Sequence, residues 1–207
     1  MFLPKLENNA WSTLAIESVL IVLSIVLGFL VTEWRQSSEN AALAQTARES
    51  ILSEVEENYR RVRRARQYHE TMSDTLGSVE DIDTAAQIIS DGFQGQSGVA
   101  NPATVQSAAW EMAQSTGAVR HMSWDDVNAL ARVYTRQQLY DRQIDWFGRA
   151  LFDTATDEGP QGLAESTPGF LPIINQFASQ ERQLLARYRQ VLRRFRRSAP
   201  ADTATVR

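Results

Sequence analysis

From Leu14 to Val31 the chain is apolar with little interruption, and beyond Thr32 its apolar residues thin out into steps of three and four. Ser12 to Thr32 is 21 residues, roughly 31 Å of α-helix at ~1.5 Å per residue. A bilayer's hydrocarbon core is about 30 Å thick, so residues 12–34 are predicted to form one transmembrane helix. Trp11 and Trp34 bracket the run at the two depths where amphipathic indoles settle, the membrane–water interfaces. The helix of a soluble core is the competing reading, but such runs seldom exceed ~14 uncharged residues. A cleaved leader is the other competitor, since Ala42-Leu43-Ala44 has the small-x-small form of a cleavage site. The run is longer than a leader's ~7–15 apolar residues, and Glu33, Trp34, Arg35 and Glu39 intervene before the alanines. A retained anchor is expected, preceded by a short flank, residues 1–11.

After the anchor every segment has helical spacing. Ala44, Ala47, Ile51, Val55, Tyr59, Val62 and Ala65 fall on one face. No breaker separates them from the apolar run, which predicts a single rod reaching about His69. Ser78 followed by Asp81 resembles a capping box for a short helix through Ile89, stopped at Gly92. Gly92 to Gly98 forms a glycine-rich loop, and Asn101-Pro102 is a good N-cap and first-turn pair for a helix ending near Gly117. Ser123 with Asp126 opens a longer helix to about Asp153, striped by Val127, Leu130, Tyr134, Gln137, Ile144, Phe147 and Leu151. A Gly/Pro-rich loop, Asp157–Gly169, precedes the last helix, Leu171 to Ser198, with Phe177, Leu184, Tyr188, Val191 and Phe195 in near-heptad order. No alternating run suggests a strand. The predicted fold is all-α: a transmembrane helix continuing into the first helix of an antiparallel bundle, residues 35–199, with a disordered tail at 200–207.

Composition narrows the function classes. A net charge of -4 argues against a nucleic-acid partner. The absence of cysteine excludes disulfides. The two histidines, His69 and His121, stand alone, without ligand spacing for a metal. No G-x-S-x-G, P-loop or dinucleotide fingerprint occurs, and Gly92-x-x-Gly95-x-x-Gly98 lacks the strand that a phosphate cradle needs. Trp110, Trp124 and Trp146 fit core or interface anchors better than a ligand box. Neither a cofactor nor catalysis is expected.

Glu17 is the unusual residue of the anchor, since an ionisable group within a span is costly and functional by default. Ser24 and Gly28 lie about 20° to either side of it around the helix, at ~100° per residue. Thr13 and Thr32 fall near the same stripe, and Ser24, Gly28 and Thr32 have small-xxx-small spacing. This face predicts helix–helix association, with homo-oligomerisation as the simplest form. Two alternatives compete: Glu17 lies shallow enough to reach headgroup water, or it titrates in a proton or ion conduit.

The stretch Ala15-Ile16-Glu17-Ser18-Val19-Leu20-Ile21-Val22-Leu23, continuing through Gly28-Phe29-Leu30 to Glu33-Trp34, resembles a widespread bacterial family of uncharacterised membrane-anchored proteins. Ala109-Trp110-Glu111, Ser115-Thr116-Gly117-Ala118-Val119, Asp125-Asp126 and Leu130 to Tyr134 are similar to that family's second signature, in which an aromatic helix ends at a Ser/Thr-Gly turn before a helix carrying Tyr. The resemblance implies a single-pass bacterial inner-membrane protein with a periplasmic C-terminal domain, and no catalytic assignment. Family members often begin with a strongly basic segment, whereas this chain offers only Lys5 before the run. Arg35 and Arg48 on the other flank nearly balance it.

Two arginine clusters remain. Arg60, Arg61, Arg63, Arg64 and Arg66 follow Glu54, Glu56 and Glu57, which supply ion-pair partners one turn away. Arg193, Arg194, Arg196 and Arg197 have two uses: contact with anionic headgroups of the lipid bilayer, or pairing with Glu49, Glu54 and Glu57 of an antiparallel neighbour or another subunit. The function expected from all of this is a non-enzymatic, self-associating scaffold or accessory subunit of a membrane complex. The alternatives are the conduit above and a ligand-sensing domain with its site near Trp110 and Trp146.

Overall fold

The computed structural model describes residues 7–94, 100–157 and 167–197. The Gly95–Gly98 part of the glycine loop, most of the Asp157–Gly169 loop, the first six residues and the tail lie outside the described residues, as do the side chains of Trp11, Thr13, Leu151 and Arg197. The fold is all-α. Its helices are α1 (Glu7–Gly77), α2 (Ile82–Gln94), α3 (Ala108–Ser115), α4 (Trp124–Asp157) and α5 (Thr167–Arg197), with a 3₁₀ turn at Ala118–His121. The chain divides into two units, residues 1–46 and 47–207.

In the first unit, α1 carries the one stretch among the described residues that is long and apolar enough to cross a membrane. Its Leu, Ile, Val and Phe side chains from Leu14 to Val31 are all exposed, by 46% (Val26) to 72% (Phe29).

The second unit has its own core. From α1 come Ile51, Val55, Val62 and Ala65; from α4, Leu130, Val133, Tyr134, Tyr140 and Phe147; from α5, Ile174, Phe177, Leu184, Tyr188, Val191 and Phe195. Phe177 is a hub, with ring centroids 5.4 Å from His69, 6.2 Å from Tyr140 and 5.5 Å from Phe147. The contacts set helix directions. Going up α1 from Glu56 to His69 to Ser73, the partners on α5 descend from Arg196 to Glu181 to Asn175. Going up α4 from Asp126 to Tyr140, they descend from Arg194 to Glu181. Thus α5 runs opposite to both α1 and α4.

Helix starts follow local chemistry, with three departures from the sequence expectation, of which the simplest is that α5 opens at Thr167 rather than Leu171. Ser123 caps α4 through the Asp126 N–H at 3.2 Å. For α2 the cap is Asp81 rather than Ser78: the Asp81 carboxylate accepts from the Thr84 N–H at 2.9 Å, while the Ser78 hydroxyl donates back to the Thr75 carbonyl. A carboxylate next to the first turn satisfies an orphan N–H and the helix dipole together, which outweighs a hydroxyl three residues earlier. α2 also continues past Gly92 to Gln94.

The departure at α3 is larger. Asn101-Pro102 does not open a helix; residues 100–107 are irregular, and α3 starts only at Ala108. Their backbone groups are bound by side chains of α1 and α4, which replace the ladder that a helix would have supplied. Gly117, at φ 76°, lies in the left-handed region that terminates α3.

Candidate functional site

The residues of the apolar stretch come first. Glu17, Ser24, Gly28 and Thr32 are exposed along α1, and Trp34 is 75% exposed. A Cβ placed on Gly28 would meet nothing within 4 Å. The Ser18, Ser24 and Thr32 hydroxyls donate to the carbonyls one turn back, Leu14, Leu20 and Gly28, at 2.8, 2.8 and 2.9 Å. With those hydrogens committed inside the helix, Glu17 is the strongest hydrogen-bonding group left on that face.

Within the second unit a buried polar network threads the core. At one end, Glu181 is wholly buried on α5 and receives two donors. The Tyr140 hydroxyl donates to its Oε1 at 2.7 Å, and His69 Nδ1 lies 2.9 Å from its Oε2. Nδ1 is assigned the hydrogen of this contact because its neighbour is a carboxylate. The Tyr140 oxygen in turn accepts the Ala103 N–H at 2.9 Å. At the other end, Glu54 accepts from the Tyr134 hydroxyl at 2.7 Å and the Ala109 N–H at 2.8 Å. Between them, the Asn58 amide grips the Gln106 peptide on both sides: Nδ2 donates to its carbonyl at 2.7 Å and Oδ1 accepts its N–H at 2.9 Å. Gln137 donates to the same carbonyl at 2.9 Å. Trp110 stacks on Tyr134, centroids 5.2 Å apart and planes within 6°.

Burial, and then the Glu54 carboxylate, push the Tyr134 phenol well above its usual range; burial followed by Glu181 does the same for Tyr140. Both tyrosines therefore stay protonated and act as hydrogen-bond donors. A buried carboxylate against a histidine Nδ1 is the contact that orients a general base in hydrolytic sites. Here, however, His69 is fully buried, its ring is stacked on Phe177, and Nε2, the atom that would meet a substrate, has no hydrogen-bond partner among the described residues. The arrangement fixes three helices and one irregular segment.

Asp141, one residue beyond Tyr140 on α4, is half-buried. Burial, and then the Asp145 carboxylate one turn on, push its carboxyl from 3.8 up to about 6. The folded state thus binds more protons than the unfolded state between those two values. Stability falls as pH rises through that window and stays lowered above it. Asp141→Asn is expected to raise the unfolding free energy by ~1–2 kcal/mol at pH 8, after a discount for partial solvent screening. It should change little at pH 4. Denaturant melts at the two pH values check both.

The basic side chains divide by partner. Glu57 takes Arg60 at 2.8 Å and Arg61 at 3.1 Å, and the Arg61 bond first, then Arg60, holds its carboxyl below the usual range. Arg66 pairs with the following Glu70 at 2.7 Å. Arg194 reaches Asp126 at 2.6 Å and Asp125 at 3.2 Å, and Arg196 reaches Glu56 at 3.1 Å. Glu54 is the partner of none of these, because the core has taken it. Arg193 is exposed.

No family model, curated protein or solved structure matches this chain.

Other residues singled out from sequence are dispersed. Trp124 and Trp146 are 79% and 60% exposed, while Trp110 is in the core. Trp146 stands twelve residues beyond Trp110's partner Tyr134, roughly 18 Å along α4, so Trp110 and Trp146 line no common site. His121 is exposed in the 3₁₀ turn. Among the described residues no three His, Asp or Glu side chains are grouped to share a metal ion. Sequence reading passed over Asn58 and Glu181, gave Glu54 to the arginines and found no partner for His69, yet all four are buried. The available signal was their spacing: Glu54, Asn58 and His69 continue the apolar face of α1 at helical steps, and Glu181 lies one turn from Phe177 and three residues from Leu184.

Proposed function

We propose that this is a non-enzymatic, single-pass membrane protein, a self-associating scaffold or accessory subunit whose anchor is joined through α1 to an antiparallel helical bundle. One observation carries it: the unbroken exposure of Leu, Ile, Val and Phe side chains from Leu14 to Val31. Such a surface in water would cost ~25 cal/mol per Å² of apolar area, whereas hydrocarbon covers it without penalty. The inner membrane of a bacterium, with the bundle on the periplasmic side, remains the expectation from the family resemblance.

Self-association rests on the stripe of Glu17, Ser24, Gly28 and Thr32. Gly28 has open space above its Cα, which permits close approach by a second helix. Glu17 then gains a partner away from lipid. The committed hydroxyls of Ser24 and Thr32 favour packing over a conduit, which needs a chain of mobile hydrogen-bonding groups beyond Glu17.

Alkaline carbonate washing should leave the full chain in the membrane pellet, and deletion of residues 1–34 should release it. Recovery of the intact chain in the carbonate supernatant would refute the anchor. In mild detergent the protein should sediment as an oligomer, and Gly28→Leu should shift it toward monomer by an order of magnitude in dissociation constant. A wild type that sediments as a monomer at every concentration would remove self-association while leaving the anchor standing.

A further inference from the structure

A groove of about 430 Å³ lies between α1 and α5 in the second unit, lined by Glu56, Tyr59, Arg60, Arg189, Leu192, Arg193 and Arg196. Its floor is Tyr59 and Leu192, both half-buried against the core. Its walls carry four guanidinium groups and one carboxylate, a local charge of +3 in a chain whose total is -4. Glu56 is committed to Arg196 at 3.1 Å, and Arg60 turns to Glu57 at 2.8 Å. Arg189 donates through Nε to its own helix at Leu185, and neither it nor Arg193 has a carboxylate partner among the described residues. Arg189, Arg193 and Arg196 occupy one face of α5 at i, i+4 and i+7, where like charges repel.

We propose that this groove binds an anionic amphiphile: a phosphate monoester head held by Arg189 and Arg193, with an apolar tail laid over Leu192 and Tyr59. Guanidinium forks match phosphate oxygens in pairs. The volume is that of a small-ligand site. A solvated arginine face would need no apolar floor, and an apolar partner would strip water from the rim charges without pairing them; a molecule with both parts satisfies both. The source is either a lipid of the bilayer or a free phosphorylated amphiphile, and the groove chemistry is the same for the two. The proposal is independent of the anchor, because every lining residue lies between positions 56 and 196.

The test is calorimetric titration of the full chain, in neutral phosphatidylcholine nanodiscs, with hexyl phosphate; empty nanodiscs supply the baseline. Saturable one-to-one binding is expected, at least tenfold tighter than inorganic phosphate and weakened by added salt. Arg189→Gln/Arg193→Gln should cost tenfold or more, and Leu192→Asn should reduce the preference for hexyl over inorganic phosphate. Arg142→Gln, an exposed change on α4, should have no effect. Nanodiscs containing phosphatidic acid separate the sources. An apparent affinity for hexyl phosphate below that in phosphatidylglycerol nanodiscs of equal charge, which match the surface repulsion, means that a bilayer lipid occupies the groove; an equal one means that only the free amphiphile enters. Absence of saturable binding, retention of full affinity by the double variant, or equal affinity for inorganic and hexyl phosphate would each overturn the proposal.

Discussion

Glu181→Ala is expected to lower the unfolding free energy of the helical domain by ~3–5 kcal/mol, from two buried donors left unsatisfied at ~1–3 kcal/mol each together with the cavity that the side chain leaves. Two donors lose their acceptor at once. The Tyr140 hydroxyl and His69 Nδ1 point at the Glu181 oxygens from 2.7 and 2.9 Å, in a site that water does not reach. Tyr140 then holds only its acceptor contact with the Ala103 N–H, and the deleted side chain leaves a cavity against Phe177 and Leu184. Glu181→Gln keeps the shape and one acceptor oxygen, and a switch of the His69 tautomer lets Nδ1 receive the new amide hydrogen. Its cost should be smaller, ~1–2 kcal/mol. Denaturant melts of the full chain in detergent give both numbers. A double-mutant cycle with His69→Ala should return a coupling of ~1–3 kcal/mol. A cost for Glu181→Ala below that of an exposed substitution, ~0.5 kcal/mol, would show that the network does not hold the helices.

Much of this architecture was legible because it rests on period. Ile51, Val55, Val62 and Ala65 on α1, and Phe177, Leu184, Tyr188, Val191 and Phe195 on α5, share a face by spacing alone, and all are buried. Capping chemistry was legible at Ser123, where a hydroxyl stands directly before the first turn. It failed at Ser78 because a better acceptor, Asp81, stood nearer the helix. The polar network was not legible, for a physical reason. Glu54 and Asn58 carry polar tips that a period analysis assigns to solvent, and their burial is tolerable only because acceptors and donors arrive from positions 106, 109 and 134. No local pattern encodes such long-range pairing. The same holds for His69: alone in sequence, it meets Glu181 across 112 residues. The arginines behaved in the opposite way. Their charge was visible, yet which of them stay free of carboxylates depends on the register of α5 against α1 and α4. That register gave Arg194 to Asp125 and Asp126, and Arg196 to Glu56.

Asn58→Ala carries the other large expectation, a loss of ~2–4 kcal/mol: the Gln106 N–H is orphaned at ~1–3 kcal/mol, and one of the two bonds to the Gln106 carbonyl is lost at ~0.5–1.5 kcal/mol. Position 58 lies inside α1, where alanine is the better helix former by ~0.7 kcal/mol at most. Were Asn58 only a solvated helix residue, the change would therefore stabilise, so the sign alone decides. The Asn58 amide holds the Gln106 end of the irregular segment: it offers Gln106 the donor and acceptor that a helical turn or a strand would have offered. Gln137 still donates to the Gln106 carbonyl in the variant, but the Gln106 N–H has no second acceptor among the described residues. Hydrogen exchange should report this locally, with the Gln106 amide losing protection by at least tenfold more than amides in the middle of α4. Asn58→Asp sharpens the test. It keeps an acceptor for the N–H but sets a carboxylate against the Gln106 carbonyl, so it should destabilise at pH 7 and recover part of the loss when acidified. Equal stability of wild type and Asn58→Ala, with unchanged exchange at Gln106, would mean that Tyr140, Gln137 and Arg61 hold the irregular segment without Asn58.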